Sequence, residues 1–337
     1  MNPRHRGWPR KVPLSYLLPV KWHDGSERGL LTAYLRGLSK LCDQVIVVDG
    51  SPAEVFDANA AAWPFVTHLR PNGSDDTVMG KVAGVRTGAR VADRESVLIA
   101  DDDVRFDLPA LERVASLLED FDLVRPQNYF DPLPPHALWD SARILLNRGL
   151  GGDFPGTLGV RRSFLLDPNG YLGDVLFENL DLMRTVEARD GAMANAMDVY
   201  VRRIPPSFPH FLEQRVRHAY EEFAFPVRMA SWLGLLPLLG VCLARRRRWP
   251  LLAVGIGSIL LSLRGRSSHG GRRIFPLAAA LLTPAWLLER GVCAWLAVFL
   301  RLAGGYRYHG RTVTRVAHSK RALLRRMRAP GTRAAGG

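Results

Sequence analysis

The chain has 337 residues, enough for one large domain with an appendage or for two modest domains, and 47% hydrophobic content excludes a mainly disordered polymer. Its formal charge of +14 is unevenly placed: residues 1–227 carry 26 basic and 31 acidic side chains, whereas residues 228–337 carry 20 basic ones and a single acid, Glu289. A nucleic-acid binder would spread Lys and Arg over its folded domain, so this basic, apolar end argues against nucleic acid and points to an anionic membrane surface. Cys42, Cys242 and Cys293 show no Cys-x-x-Cys spacing and no His cluster, against a disulfide framework or a structural zinc site. Residues 1–11 are basic, and the run that follows is too short and too interrupted by proline for a secretory signal, so none is expected.

Residues 14–20 and 45–48 read as strands, since continuous apolar, β-branched runs suit parallel strands covered on both faces. The segment between them predicts a helix with Asp24 and Glu27 as a capping box and Leu30, Leu31, Tyr34, Leu35 and Leu38 on one face. A third strand at 65–69, a helix at 77–92 with Val78, Val82, Val85 and Ala89 inward, and a fourth strand at 97–100 continue the alternation, which predicts an α/β fold. After a helix at 109–120, residues 128–135 and 149–159 have loop compositions. A turn at 167–170, a helix from Phe177 to about Arg189 and a strand at 199–204 complete this half.

From Met229 the composition changes. Residues 229–244 and 249–263 hold no charge, and residues 274–300 are interrupted only by Glu289 and Arg290. A full crossing of a bilayer needs roughly 20 apolar residues. The first two segments fall short, so a hairpin, a re-entrant pair and helices lying in the headgroup layer all stay open, with the Arg runs at 245–248 and 264–273 reaching lipid phosphate. Residues 301–337 add ten basic groups and no acid, as expected of a cytoplasmic, partly disordered tail.

Ligands of open α/β sheets bind beyond the carboxyl ends of the strands, and two acidic signals stand there: Asp49-Gly50-Ser51 and Asp101-Asp102-Asp103. Three successive carboxylates repel one another unless a cation neutralises them, and hard oxygen donors select Mg²⁺ or Mn²⁺. In an extended segment Asp101 and Asp103 would share a side with Asp102 opposite, making the first and third the better metal ligands. The bland alternative is a solvated acidic turn.

The order of these strand ends, with Gly80-Lys81 opening a helix and Phe177-Glu178-Asn179-Leu180-Asp181-Leu182 further on, resembles the family-2 glycosyltransferases with the GT-A fold, over about residues 12–225. The resemblance implies a Rossmann-like nucleotide-diphospho-sugar transferase domain. It implies that Asp49 contacts the nucleotide base or ribose, that Asp101 and Asp103 hold Mg²⁺ or Mn²⁺ on the donor diphosphate, and that Asp102 and Lys81 lie in the donor site. It makes residues 152–157, before Arg161-Arg162, the acceptor-side loop. The family usually has Glu-Asp at positions 178–179, with the Asp as general base; the Asn179 amide cannot take a proton near neutral pH. Glu178, Asp181 and Asp174 are the substitutes, Glu178 first, and an acceptor already ionised, such as a lipid phosphate, would need no base.

Gln214-Arg215-Val216-Arg217-His218 is similar to the family's Q-x-x-R-W signature, with Gln214 and Arg217 in place and His218 where Trp is expected. Gln214 would then belong to the donor site with Asp101, and Arg217 would neutralise the leaving diphosphate. The implied enzyme is an inverting, metal-assisted hexosyltransferase of the cell membrane, its catalytic domain on the cytoplasmic side, moving sugar from a nucleotide-diphosphate donor to a lipid-linked or cell-surface glycan acceptor. The expected division is a basic arm at 1–11, the GT-A domain at 12–227, membrane-associated helices at 228–303 and a basic tail at 304–337. Two other readings stay in play. A nucleotidyltransferase would need a phosphate loop after the first strand, of which Lys21-Trp22-His23-Asp24-Gly25 is a weak version, and Asn179 would suit a catalytically silent membrane adaptor.

Overall fold

A computed structural model describes residues 11–73, 80–167, 171–308 and 311–328. The first half runs β1 (Val12–Val20), α1 (Arg28–Leu41), β2 (Cys42–Asp49), α2 (Ala53–Ala62), β3 (Thr67–Leu69), α3 (Gly80–Val91), β4 (Ser96–Ile99), β5 (Val104–Arg105) and α4 (Leu108–Asp120). It continues through β6 (Leu123–Phe130), α5 (Pro135–Gly149), β7 (Leu158–Arg161), α6 (Arg162–Leu166), α7 (Glu178–Ala188), β8 (Met193–Arg203) and α8 (Phe208–Glu221). The chain ends with α9 (Pro226–Ala244), α10 (Trp249–Ser267), α11 (Leu277–Leu281), α12 (Thr283–Leu302), a hairpin of β9 (Tyr306–Tyr308) and β10 (Arg311–Val313), and α13 (Lys320–Arg328).

Eight strands form one mixed sheet in the order β3-β2-β1-β4-β7-β6-β8-β5. β1 pairs in parallel with β2 and β4, and β7 runs antiparallel to both β4 and β6. β1 sits centrally because both of its faces are apolar: Leu14, Tyr16 and Leu18 enter the core under α1 and α4, while Leu17 enters the opposite core with Ile46, Val48, Val82 and Val85. The expected α/β domain followed by C-terminal helices is the architecture the chain adopts.

Several local expectations are corrected. α1 begins at Arg28 without a side-chain cap, because the Asp24 carboxylate is taken by the Ser26 amide at 3.0 Å; Leu30 points into solvent while Leu31, Leu35 and Leu38 face the core. Thr77 and Val78 lie outside the described residues, as does most of the turn expected at 167–170; the inward positions Val82, Val85 and Ala89 of α3 are buried. The stretch read as loop around Asn128 is the end of β6, a buried strand, and residues 158–159 of the second such stretch begin β7. β6 tolerates polar residues inside because Gln127 Oε1 accepts from the Asp153 amide and from Arg148, so burial leaves no orphan at that oxygen.

The helices beyond residue 225 pack against the sheet domain. α5 and α10 cross backbone to backbone, and a Cβ on Gly149 or Gly265 would collide with the carbonyl of Leu261 or Leu145. Trp139 Nε1 on α5 donates to Glu289 on α12 at 2.6 Å. The long apolar run 274–300 is broken at Leu282, where Pro284 opens α12, and one face of α12 is buried through Trp286, Leu287, Cys293, Ala294 and Ala297. α9 is the one described helix long and apolar enough to cross a membrane by length and composition, with 11% of its apolar window buried. The described part of the tail is ordered against α7 rather than loose: Val313, Val316, His318 and Leu323 are buried.

Candidate active site

The ends of β4 and β8, the starts of α3 and α7 and one face of α8 surround a cleft of about 410 Å³. Residues 101–103 form a turn closed by the Val104 amide on the Asp101 carbonyl, not an extended segment, so strict alternation does not govern them. All three carboxylates line the cleft, each with its own partner. Lys81 Nζ lies 2.6 Å from Asp101 Oδ1 and 3.5 Å from Glu178 Oε1; Trp22 Nε1 donates to Asp102 Oδ2 at 2.7 Å; Arg203 Nε donates to Asp103 Oδ2 at 2.7 Å. Burial, reinforced by Asp103 and Asp101 and opposed by the Trp22 bond, pushes Asp102 up to about 6. Gly156 is required by close approach, since a Cβ there would strike the Asp101 carboxylate.

α8 presents His210, Gln214, Arg217, His218 and Glu221 to the cleft, a spacing that keeps them on one helical face. Gln214 Nε2 meets the His210 ring at 2.8 Å, and Arg217 pairs with Glu221 at 3.3 Å. Burial raises Glu221 to about 7 against the pull of Arg217, with Glu178 adding to the rise. Burial, with Arg215 and Arg143 nearby, drives His218 well below its ordinary value, so the ring is neutral. Asn179 donates to the Gly156 carbonyl at 3.3 Å, and its Oδ1 is buried without a hydrogen bond.

The cleft thus gathers Lys81, Asp101, Asp102, Asp103, Glu178, Gln214 and Arg217 from four separate parts of the sequence. It does not gather Asp49, Asp181 or Asp174. Asp49 is fully buried at the end of β2, and its carboxylate accepts from the Ser51 amide at 2.9 Å and Asn59 Nδ2 at 2.8 Å, with His68 Nε2 at 3.2 Å. Burial alone would raise it, but bonds from His68, Asn59 and Ser51 hold it at about 2. Arg161 and Arg162 brace β7 and α3 through Asp122 and the Ala89 carbonyl, away from the cleft.

Asp181 is corrected as a catalytic candidate. Its carboxylate accepts from the His318 amide at 2.7 Å and faces His318 Nδ1 at 3.0 Å, so it fastens the tail to α7 instead of facing the cleft. Asp174 joins the same cluster through His318 Nε2 at 3.3 Å and Arg315 at 3.2 Å. Bonds to Asp174 and Asp181, outweighing burial, raise His318 from 6.5 to about 9. A group whose folded pKa is raised stabilises fully below its unfolded pKa and loses that contribution as pH climbs through the folded one. The Tm gap between the parent and His318→Gln is therefore expected to be widest at or below pH 6.5 and to narrow through about pH 9. A gap independent of pH would contradict a charged His318.

Sequence reasoning missed Arg143, Glu221 and Arg290, because each comes from a helix whose burial depends on distant partners. The signal for Arg290 was available: with Glu289 it is the lone charged pair in a 27-residue apolar run.

No protein-family model and no curated protein matches the chain. Solved structures similar to it include a mannosyltransferase from Pyrobaculum calidifontis in complex with GDP-Man and Mn²⁺, 16% identical, covering 85% of this chain and 87% of that one with a TM-score of 0.47. They also include glucosyl-3-phosphoglycerate synthase from Mycobacterium tuberculosis in complex with Mn²⁺, UDP and glucosyl-3-phosphoglycerate, 16% identical over 59% of this chain and 74% of that one, TM-score 0.39. Mannosyl-3-phosphoglycerate synthase from Rubrobacter xylanophilus is 19% identical over 60% of this chain and 70% of that one, TM-score 0.42. At these identities and TM-scores the likeness carries no conclusion about the reaction.

Proposed function

We propose that the chain transfers a glycosyl group from a nucleoside-diphosphate donor to a membrane-bound acceptor. The observation that carries this reading is one cleft lined by three strand-end carboxylates and by Arg217. Breaking a glycosidic bond to a nucleoside diphosphate leaves negative charge on the diphosphate, and preset cations stabilise that charge as it forms. Arg217 serves this role directly. Asp101 and Asp103 would hold Mg²⁺ or Mn²⁺, whose chemistry is to neutralise the diphosphate as a Lewis acid. The donor set fits such an ion: Asp103 Oδ1 is buried in the cleft with no hydrogen bond, an acceptor that needs a cation. No group of three or more His, Cys, Asp or Glu suited to a metal occurs among the described residues.

Glu178 is the proposed base. Lys81 ties it to Asp101, which places it beside the donor end of the cleft, one residue from the Asn179 amide that cannot act. An in-line displacement with inversion would require Glu178 to reach the face of the sugar opposite the diphosphate. Asp49 is proposed to shape the nucleotide-binding loop, since its bonds to Ser51, Asn59 and His68 fix the turn after β2.

The membrane reading is supported by the exposed apolar side chains of α9, α10 and α12, Val227, Leu243, Trp249, Leu260, Phe299 and Leu302 among them, bordered by the Arg runs at 245–248 and 264–273. An excess of Arg and Lys beside apolar segments marks the cytoplasmic side, where the donor site would lie. The full chain is expected to remain in the membrane pellet after a high-salt wash and to leave it in detergent; release by salt alone would reduce the attachment to charge. Transfer itself is tested with a panel of UDP-, GDP- and dTDP-sugars and a membrane-lipid acceptor fraction, scored by release of the nucleoside diphosphate with and without Mn²⁺. Release from none of the panel under either condition would sink the reading.

A further inference from the structure

The helical end of the cleft is crowded with cations. Arg143 bonds to Asp140 and Asp153, Arg217 pairs with Glu221, and Arg228 pairs with Glu222 at 2.8 Å. Arg290 on α12 is different. It lines the cleft at 1% exposure, and its Nε and Nη1 are buried with no hydrogen bond. The carboxylates that act on it, Glu222 and Glu289, make their ion pairs and hydrogen bonds with other groups: Glu222 Oε1 with Arg228, and Glu289 with Trp139 Nε1 and Arg215. The face of Trp286 lies 5.0 Å from the guanidinium.

A buried guanidinium whose Nε and Nη1 make no hydrogen bond is costly even with carboxylates in its surroundings, and replacing it by an apolar side chain would relieve that cost. Its planar fork of N–H donors matches the oxygens of a phosphate. The wall around it offers further donors in Arg217 and Arg228, while His218 is neutral there and adds no charge of its own. We infer that Arg290 anchors an anionic, phosphate-class group of the acceptor at the helical end of the cleft. This rests on the glycosyl-transfer reading and gives its acceptor a chemistry. The cleft lies between the sheet domain and the exposed apolar helices, which suits a phosphate on a lipid; a water-soluble phosphorylated acceptor shares the same chemistry.

The test uses the detergent-solubilised full chain and its Arg290→Gln and Arg290→Met variants. Inorganic phosphate and hexyl phosphate are titrated calorimetrically, with and without a nucleoside diphosphate and Mn²⁺ occupying the donor end. The expected result is binding of both probes to the parent and at least tenfold weaker binding to both variants, with nucleotide affinity unchanged. Tighter binding of hexyl phosphate than of phosphate assigns the group to a lipid, and equal binding assigns it to a soluble acceptor. The ligand-free variants are expected to keep or raise the parent's Tm, whereas an arginine with a purely structural role would lower it. Phosphate affinity unchanged by the variants, or loss of nucleotide binding together with it, would overturn the acceptor site while leaving glycosyl transfer standing. A parent that binds no nucleotide would overturn glycosyl transfer, and the titration without nucleotide would still decide whether Arg290 holds an anion.

Discussion

Replacing Asp103 by alanine is expected to lower sugar transfer by about 10³-fold or more, the scale on which loss of a preset charge at a leaving group is felt. The variant removes an oxygen that the protein leaves buried and unbonded in the cleft, and frees Arg203, whose Nε is bound to the other oxygen at 2.7 Å. Two effects then combine: the donor diphosphate loses a metal ligand and gains a loose cation beside it. Asp103→Asn separates them, since the amide keeps an acceptor for Arg203 but binds a divalent ion poorly. The account expects Asp103→Asn to fall nearly as far as Asp103→Ala, with part of the lost rate returning at high Mn²⁺. Asp102→Asn should be mild by comparison, because that carboxylate is turned to Trp22 and a neutral side chain there still accepts the indole bond. Equal losses at positions 102 and 103 would mean that the triplet acts as a general acidic field.

Glu178→Gln is expected to reduce kcat by about 10²- to 10⁴-fold, the usual worth of a positioned general base, with donor KM little changed. Glu178 meets Lys81 at 3.5 Å, and Lys81 keeps its closer 2.6 Å pair with Asp101 when Glu178 is neutralised, so the donor site stays assembled. Its neighbour Glu221 provides the control. A carboxyl held near pH 7 by burial adds a second negative charge beside Glu178 as pH rises, so Glu221→Gln is expected to keep most of kcat and to flatten the pH–rate profile around neutrality. Full activity in Glu178→Gln with collapse in Glu221→Gln would transfer the proton-accepting role to α8. Activity in both would indicate an acceptor that arrives ionised, and with it a reaction that needs no base.

The acidic strand ends were legible because local sequence suffices there: an apolar, β-branched run such as Val45–Val48 must be buried, and an acid directly after it must stand at the sheet's edge. β6 was hidden for the converse reason. Pro126, Gln127 and Asn128 carry the composition of a loop, and only Asp153 and Arg148, distant in sequence, make Gln127 acceptable in a core. The capping box failed because Asp24 had a nearer amide to bind in Ser26. Asp181 shows how far a role can depend on remote chain: its position in the first turn of α7 was read correctly, yet the partner that claims its carboxylate is His318, 137 residues later. The uneven charge likewise acquired a second meaning. The basic C-terminal part supplies the apolar surface, and it also sends Arg228 and Arg290 into the cleft and closes the tail over α7.

The most direct test is calorimetric titration of UDP, GDP and dTDP into the full chain with and without Mn²⁺, repeated with Asp101→Asn and Asp103→Asn. The account predicts that at least one nucleotide binds the parent in a Mn²⁺-dependent manner and that both variants lose the Mn²⁺-dependent part. Binding that ignores Mn²⁺ in the parent, or is unchanged in both variants, would contradict it.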